Sequence, residues 1–480
     1  MDYHAMQKPS LIASTITKLS AAEMARLIRR KQLSPAEVVE AHLERIEQLN
    51  PKINAFACLN IEQARVEARR AETALMQGVQ SRPLLGVPVS IKSCVDVKGL
   101  RCEAGSRLRD GYVAAEDATL VARLKHAGAI VLGNTSTPEV LMAYHTENEL
   151  QGRTNNPWDL ARTPGGSSGG EAAAISACMS AAGIGSDGGG SIRVPAHFSG
   201  ICGLKPTPGQ IPATGHYPPC GGPFSLIGVV GPMARTVEDL RLLFEVTAGY
   251  DPGDPASVPV ALELADQLQA NKLRIGFYED DGFSPPTPET RAAVHAAARA
   301  LKEAGFTVEP FRPEGLDRAR ELWFVIFVEA SALVLNPMVK GRENEISDNT
   351  KEFLALAALQ PPLSGDRLLH TLIERDQVRF RVLTQMETFP ILLAPVCSIP
   401  AFRHEDAGWG TSHAADYLRT MTYCQHYNLL GNPAAVVPVG KSPEGLPIGV
   451  QIIGRPYKES EVLAVAAVLD KQFGWKEPPL

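Results

Sequence analysis

The sequence predicts an α/β protein, with a single large mixed β-sheet covered by helices on both faces and running through residues 1–480. Two observations predict it. Short apolar, β-branched runs alternate with segments of helical periodicity along the whole chain, and no flexible linker or internal repeat divides them. At 480 residues the length alone allows two or three domains, but α/β folds often keep one large core at this size.

The elements follow in order. Ser20 with Glu23, and Ser34-Pro35-Ala36-Glu37, are helix-start signals that predict two short helices. With a solvated helix over Ile61 to Gln77 they make a helical N-terminal region, residues 1–80, packed on the sheet. Leu84 to Ile91 reads as a buried strand ending at Lys92, followed by a helix near Asp117 to His126 and a strand at Ala129 to Gly133. Thr236 caps a further helix. Lys272 to Tyr278, Pro288 to Glu303 and Phe306 to Phe311 form a strand, helix, strand unit. Helical patterns cover Leu316 to Leu335 and Asp366 to Phe389, with Pro361-Pro362 between them in a loop placed to shape a substrate entrance. Ile391 to Val396, Ala434 to Val439 and Ile448 to Ile453 are strand candidates, with helices at Ala414 to Leu430 and Glu459 to Phe473.

The net charge of −6 is spread without runs of one sign, so nucleic acid is not an expected partner. No apolar run of about 18 residues lacks a charge, and the first residues, MDYHAMQKPSLIAS, lack a secretion pattern. A cytoplasmic protein without a membrane span is expected, as a monomer or homodimer. The eight cysteines are scattered and read as buried free thiols; no spacing points to a metal or other cofactor.

Chemistry concentrates between Asn156 and Pro206. Gly183 to Gly188 satisfies G-x-G-x-x-G, but a dinucleotide site must open a helix, and Pro195 reads as resisting one. A glycine run before a serine has another use, because successive unhindered amides can converge on one point. Gly188, Gly189, Gly190 and Ser191 can form an oxyanion hole with Ser191 as nucleophile; alone, the same run also fits a solvated loop. A serine hydroxyl needs a base. His197 and His216 are the histidines within 30 residues, and no G-x-S-x-G elbow surrounds Ser191. Lys92, at the end of a buried strand, can be held neutral by desolvation, although most such lysines reach solvent. The Pro164-to-Gly170 turn is followed by the small-residue segment GEAAAISACMSAA, which suits a packed helix better than a linker. A relay from Lys92 through Ser167 to Ser191 follows.

These stretches resemble the amidase signature enzymes: GVPVSIK ending at Lys92, PGGSSGGEAAA from Pro164, GSDGGGSIRVPA from Gly185, GLKPT from Gly203 and GPMARTVEDL from Gly231. The resemblance implies a Ser-cisSer-Lys triad, with Ser191 as nucleophile, Ser167 on a cis peptide after Gly166, and Lys92 as base. It further implies that Ser168 supports Lys92, that Asp187 and Arg193 brace the nucleophile turn, and that Leu141, Met142 and Tyr144 neighbour the substrate. Tyr217 to Phe224 is an adjacent loop candidate. Family members commonly carry aspartate after the lysine, where this chain has Ser93.

The implied activity is hydrolysis of aryl or acyl amides, with carbamates, urethanes and esters as further substrates and no cofactor. Two alternatives stand beside it. The glutaminase subunit of the aminoacyl-tRNA amidotransferase commonly has glutamine where this chain has Val194. A catalytically silent binding protein of the same fold is opposed by the intact Lys92, Ser167 and Ser191.

Overall fold

The computed structural model describes residues 13–78, 82–260, 272–405 and 418–480. Among them, eleven strands form one mixed sheet, with a separate two-stranded ribbon at Glu147–Asn148 and Gly152–Arg153. In chain order the sheet strands are β1 (Phe56–Leu59), β2 (Pro88–Lys92), β3 (Ile130–Thr135), β4 (Ala182–Asp187), β5 (Cys202–Lys205) and β6 (Val229–Ala234). They continue with β7 (Arg274–Phe277), β8 (Thr307–Pro310), β9 (Ile391–Pro395), β10 (Ala434–Lys441) and β11 (Pro447–Gly454). Across the sheet the order is β1-β3-β2-β4-β6-β5-β10-β11-β9-β7-β8. β2 runs parallel to β3 and β4, and β7 runs parallel to β8 and β9; the other pairs are antiparallel.

The N-terminal region is not helical alone. α1 (Ala21–Arg29) starts at Ser20, whose hydroxyl accepts from the Glu23 amide, and α2 (Pro35–Ile53) starts at a full Ser34–Glu37 capping box. α2 is 19 residues long rather than short, ending where Asn54 turns left-handed. The chain then enters the sheet as β1, with Phe56 opposite Thr135, before α3 (Ile61–Met76) packs Ala64 and Ala68 inward. The strand expected from Leu84 begins instead at Pro88, because a turn through Gly86 precedes it. Gly86 has φ +76°, and a Cβ there would lie 2.9 Å from Pro35.

Helices flank both faces. α4 (Thr119–His126), α7 (Val237–Thr247), α8 (Pro288–Glu303) and α13 (Glu459–Gln472) share the largest core cluster with α1 and with Val89 and Ile91 of β2. Side chains alternate along a strand, so Ser90 points to the opposite face, where it meets Glu171 of α5 (Gly169–Ser176). α6 (Arg193–Ser199) follows the nucleophile-candidate turn. Pro195 was expected to stop a helix there and does not: it is the third residue, in a first turn whose amides have no intrahelical partner.

α9 spans Leu316–Val339 as one 24-residue helix with a π-turn at Val325–Glu329, longer than the predicted segment. It is long and apolar enough to cross a membrane, yet 61% of its apolar window is buried inside the protein. α10 (Asp348–Ala358) was not anticipated, and α11 occupies Gly365–Gln385. α12 covers Thr422–Leu429; the predicted start at Ala414 lies outside the described residues, as do the first twelve residues read for a secretion signal. All eight cysteines are free and six are buried.

Candidate active site

The site lies at the C-terminal edge of three adjacent parallel strands, where open α/β sheets commonly bind ligands. β2 ends in Lys92, β3 in Thr135 and β4 in Asp187. Lys92 is fully buried. Its Nζ lies 2.6 Å from Ser167 Oγ and 3.0 Å from Ser186 Oγ. Burial brings its pKa down from 10.5 to about 8, against the opposing pull of Cys94, Asp187 and Glu171. The buried hydroxyl of Ser93 has no hydrogen-bond partner among the described residues.

The Gly166–Ser167 peptide is cis. Gly166 fits where no larger residue would, since a Cβ would meet the carbonyl oxygens of Ala143 and His145 at 2.5 and 2.6 Å. Ser168 does not reach Lys92. Its hydroxyl donates to the Ser186 carbonyl at 3.2 Å, and its amide donates to the Ser191 carbonyl at 3.1 Å. Ser168 therefore ties the two serine turns together, and the hydroxyl within hydrogen-bond reach of Lys92 beside Ser167 is that of Ser186, not of Ser168 as the resemblance implies. Behind them Glu171 accepts from Ser90 on β2 and from Thr135 on β3, the latter at 2.7 Å. Burial chiefly raises the Glu171 carboxyl to about 8.

Ser191 sits between β4 and α6. Asp187 and Arg193 are both fully enclosed, and Arg193 donates through Nε and Nη2 to the two carboxylate oxygens at 3.1 and 3.0 Å. Arg193 also reaches Gln451 at 3.0 Å, the Cys424 carbonyl at 3.1 Å, and Asn428. Burial pushes the Asp187 carboxyl upward, but Arg193 outweighs it and holds the group well below the usual carboxylate range. The same carboxylate accepts from the amides of Gly190 at 2.7 Å and Ile192 at 3.1 Å. The Gly190 amide is thus committed and drops out of the expected oxyanion set. Those of Gly188, Gly189 and Ser191 make no hydrogen bond to described residues. A strand precedes and a helix follows this turn, as in a dinucleotide site, but Asp187 already occupies an anion's place there.

Two cavities meet at Ser191 and share Leu141, Met142 and Phe327 as walls. The larger, about 130 Å³, is lined by Ser167, Ser191, Gly188 and apolar side chains including Ile227, Val334 and Leu335. The smaller, about 30 Å³, adds Tyr144, Asn349 and Phe353. Leu141 and Met142 line both cavities. Tyr144 lines only the smaller cavity, and its hydroxyl is spent on the Gly189 carbonyl at 2.8 Å. The Tyr217-to-Phe224 loop contributes Pro218, Pro219, Cys220 and Phe224 to the wall, with Tyr217–Pro218 also cis. The Pro361-Pro362 loop lines neither cavity.

The sequence reading assigns no role to the neighbours Ser186, Glu171, Trp323 and Phe327, and weighs His216 only as a nearby histidine. Trp323 and Phe327 stack at 4.6 Å between ring centres, against the glycine turn. His216 lines the larger cavity with Nε2 3.5 Å from Cys94 Sγ, whereas His197 is held in the core, accepting the Gly449 amide at 2.7 Å. The sequence signal for Ser186 and Glu171 is their place inside the GSDGGGSIRVPA and PGGSSGGEAAA stretches.

Residues 37–463 match the family model described as Amidase. The chain is 34% identical to a component of the glutamyl-tRNA(Gln) amidotransferase of Methylacidiphilum infernorum, its A subunit, covering 96% of each chain. It is 33% identical to fatty-acid amide hydrolase 2-B of Danio rerio, over 97% of this chain and 92% of that one. Among solved structures, 6-aminohexanoate cyclic dimer hydrolase superposes with a TM-score of 0.84 at 30% identity, over 96% of this chain and 99% of that one. The lysine, two serines and glycine turn gathered at one sheet edge therefore belong to a member of the amidase signature family, hydrolases that act on amide C–N bonds.

Proposed function

We propose that the protein is a free-standing hydrolase of apolar aryl or acyl amides, with carbamates, urethanes and esters as further substrates. Neutral Lys92 draws a proton through Ser167 from Ser191, whose oxygen attacks the substrate carbonyl. The developing oxyanion faces the amides of Gly188, Gly189 and Ser191. The relay returns the proton to the leaving nitrogen, so that a neutral amine departs, and water then releases the acyl group from Ser191. No cofactor enters this scheme. Asp187 and Arg193 hold the turn, and Leu141 and Met142 contact the substrate. We place the enzyme in the cytoplasm, as a monomer or homodimer.

The observation that carries the substrate class is the lining of the two cavities, which includes many apolar side chains and no lysine or arginine among the described residues. Free glutamine would bring an α-carboxylate and an α-ammonium into a largely apolar lining whose basic side chain, among the described residues, is His216 alone, at a desolvation cost that an anilide avoids. Similarity to an amidotransferase component favours a second reading, a glutaminase working in a complex. One screen separates them: hydrolysis of an anilide, an aryl carbamate, an ester and glutamine by the parent and Ser191→Ala proteins. Turnover of the anilide or carbamate, lost at least ~10³-fold in Ser191→Ala with unchanged thermal unfolding, is expected. Faster turnover of glutamine than of every apolar substrate would overturn the assignment, and equal rates in parent and variant would remove Ser191 from the mechanism.

A further inference from the structure

A peptide carbonyl and the following N–H share one rigid plane and point in opposite directions, so fixing the oxygen aims the next amide. Every carbonyl from Asp187 to Ser191 accepts a hydrogen bond. Asp187 O takes one from Asn428 Nδ2 at 3.2 Å, Gly188 O from Trp323 Nε1 at 2.8 Å, and Gly189 O from Tyr144 Oη at 2.8 Å. Gly190 O takes one from the Val194 amide at 2.7 Å, and Ser191 O from the Ser168 amide at 3.1 Å. Tyr144 therefore aims the Gly190 amide at Asp187, which receives it. Trp323 aims the Gly189 amide, which is left without an acceptor among the described residues.

The indole comes from α9, 135 residues further along the chain. Its approach requires glycine at 189, where a Cβ would sit 2.6 Å from Trp323 Cζ2. The ring is almost completely buried, and its opposite support is the stacked Phe327, in the middle of the segment where α9 widens into a π-turn. A buried indole N–H needs an acceptor, and here the acceptor is the backbone of the turn that precedes Ser191.

We propose that Trp323 is a positioning residue for the oxyanion: by holding the Gly188 carbonyl it orients the Gly189 amide toward the charge that develops on the substrate oxygen. This rests on the hydrolase reading above. A donor aimed in advance acts mainly in the transition state, so its loss falls on kcat and on the binding of transition-state mimics rather than on substrate affinity.

The test compares the parent, Trp323→Phe and Phe327→Leu proteins on an anilide substrate, with a trifluoromethyl ketone as a probe that becomes an oxyanion on adding to Ser191. Trp323→Phe is expected to lower kcat roughly 10- to 100-fold with KM within about threefold, and to weaken the ketone in parallel with kcat/KM. Phe327→Leu keeps the donor, and is expected to raise KM while the ratio of ketone to substrate affinity stays near that of the parent. If Trp323→Phe fails to fold, replacing Trp323 by the isosteric 3-benzothienylalanine removes the N–H alone and carries the same expectation. Ketone affinity at the parent level in the donor-free protein would overturn the proposal, as would an equal loss in Phe327→Leu. Ser191→Ala is run alongside: if it hydrolyses the anilide like the parent, the hydrolase reading itself has failed, whatever Trp323 does.

Discussion

If the neutral amine of Lys92 is the base, activity must follow its titration. Burial brings that titration from 10.5 to about 8, so about one-tenth of the protein carries the neutral form at pH 7 and most of it does at pH 9. The expected profile of kcat/KM for an anilide rises about tenfold per pH unit below pH 8 and levels above it. An unperturbed lysine would still be rising beyond pH 10. The same shift has a stability signature. A base whose folded pKa is depressed binds fewer protons folded than unfolded between about 8 and 10.5, so stability increases across that window, by about 3 kcal/mol in total for Lys92. Lys92→Met, similar in length and apolar, should lose at least ~10³-fold in rate and also lose this alkaline gain. The assays are stopped-time hydrolysis from pH 6 to 10 and denaturant unfolding at pH 7.5 and 10. A flat rate profile between pH 6 and 9, or Lys92→Met retaining more than about a tenth of parental activity, would refute the reasoning.

Two further substitutions probe the surroundings of the relay. Glu171, raised to about 8 by burial, binds more protons folded than unfolded between about 4.5 and 8; the parent should lose stability as pH rises through that range. Glu171→Gln keeps a partner for Ser90 and Thr135 and should flatten that slope, giving the variant the higher Tm at pH 8.5 and a similar Tm at pH 5. Asp187→Ala strands Arg193 in the core and releases the Gly190 and Ile192 amides, for a loss of about 3–5 kcal/mol by urea unfolding at pH 7; a loss below about 1 kcal/mol would contradict the bracing role.

The Lys92–Ser167 contact and the glycine turn at Ser191 are legible in the sequence because they are carried by local glycine-serine motifs and by a lysine ending an apolar run. β2, β3, β9, β10 and β11 are visible for the same kind of reason, as apolar runs bounded by turn residues. β4, β5 and β6 are not, because AGIGSD, CGLK and VVGPMA carry glycine or proline and become strands through their neighbours rather than their own propensity. Close packing explains part of this: a Cβ at Gly183 would collide with Glu171 Oε1, so a poor strand former is the residue that fits. Trp323 is illegible for another reason. Nothing local distinguishes it from any aromatic on a core helix, and its role depends on how α9 crosses a turn far earlier in the chain.

The brace around Arg193 also bears on how the protein is made. Arg193 binds Gln451, 258 residues downstream, and Asn428, 235 residues downstream. At about 5–20 residues per second, the turn leaves the ribosome on the order of tens of seconds before those partners exist. During that interval Asp187 has the guanidinium and the local Gly190 and Ile192 amides, but Arg193 lacks Gln451 and Asn428, so the brace is complete only after the C-terminal segment is made. On the proposed mechanism, loss of the last two sheet strands, which carry Gln451, should silence the site even with Lys92, Ser167 and Ser191 all present.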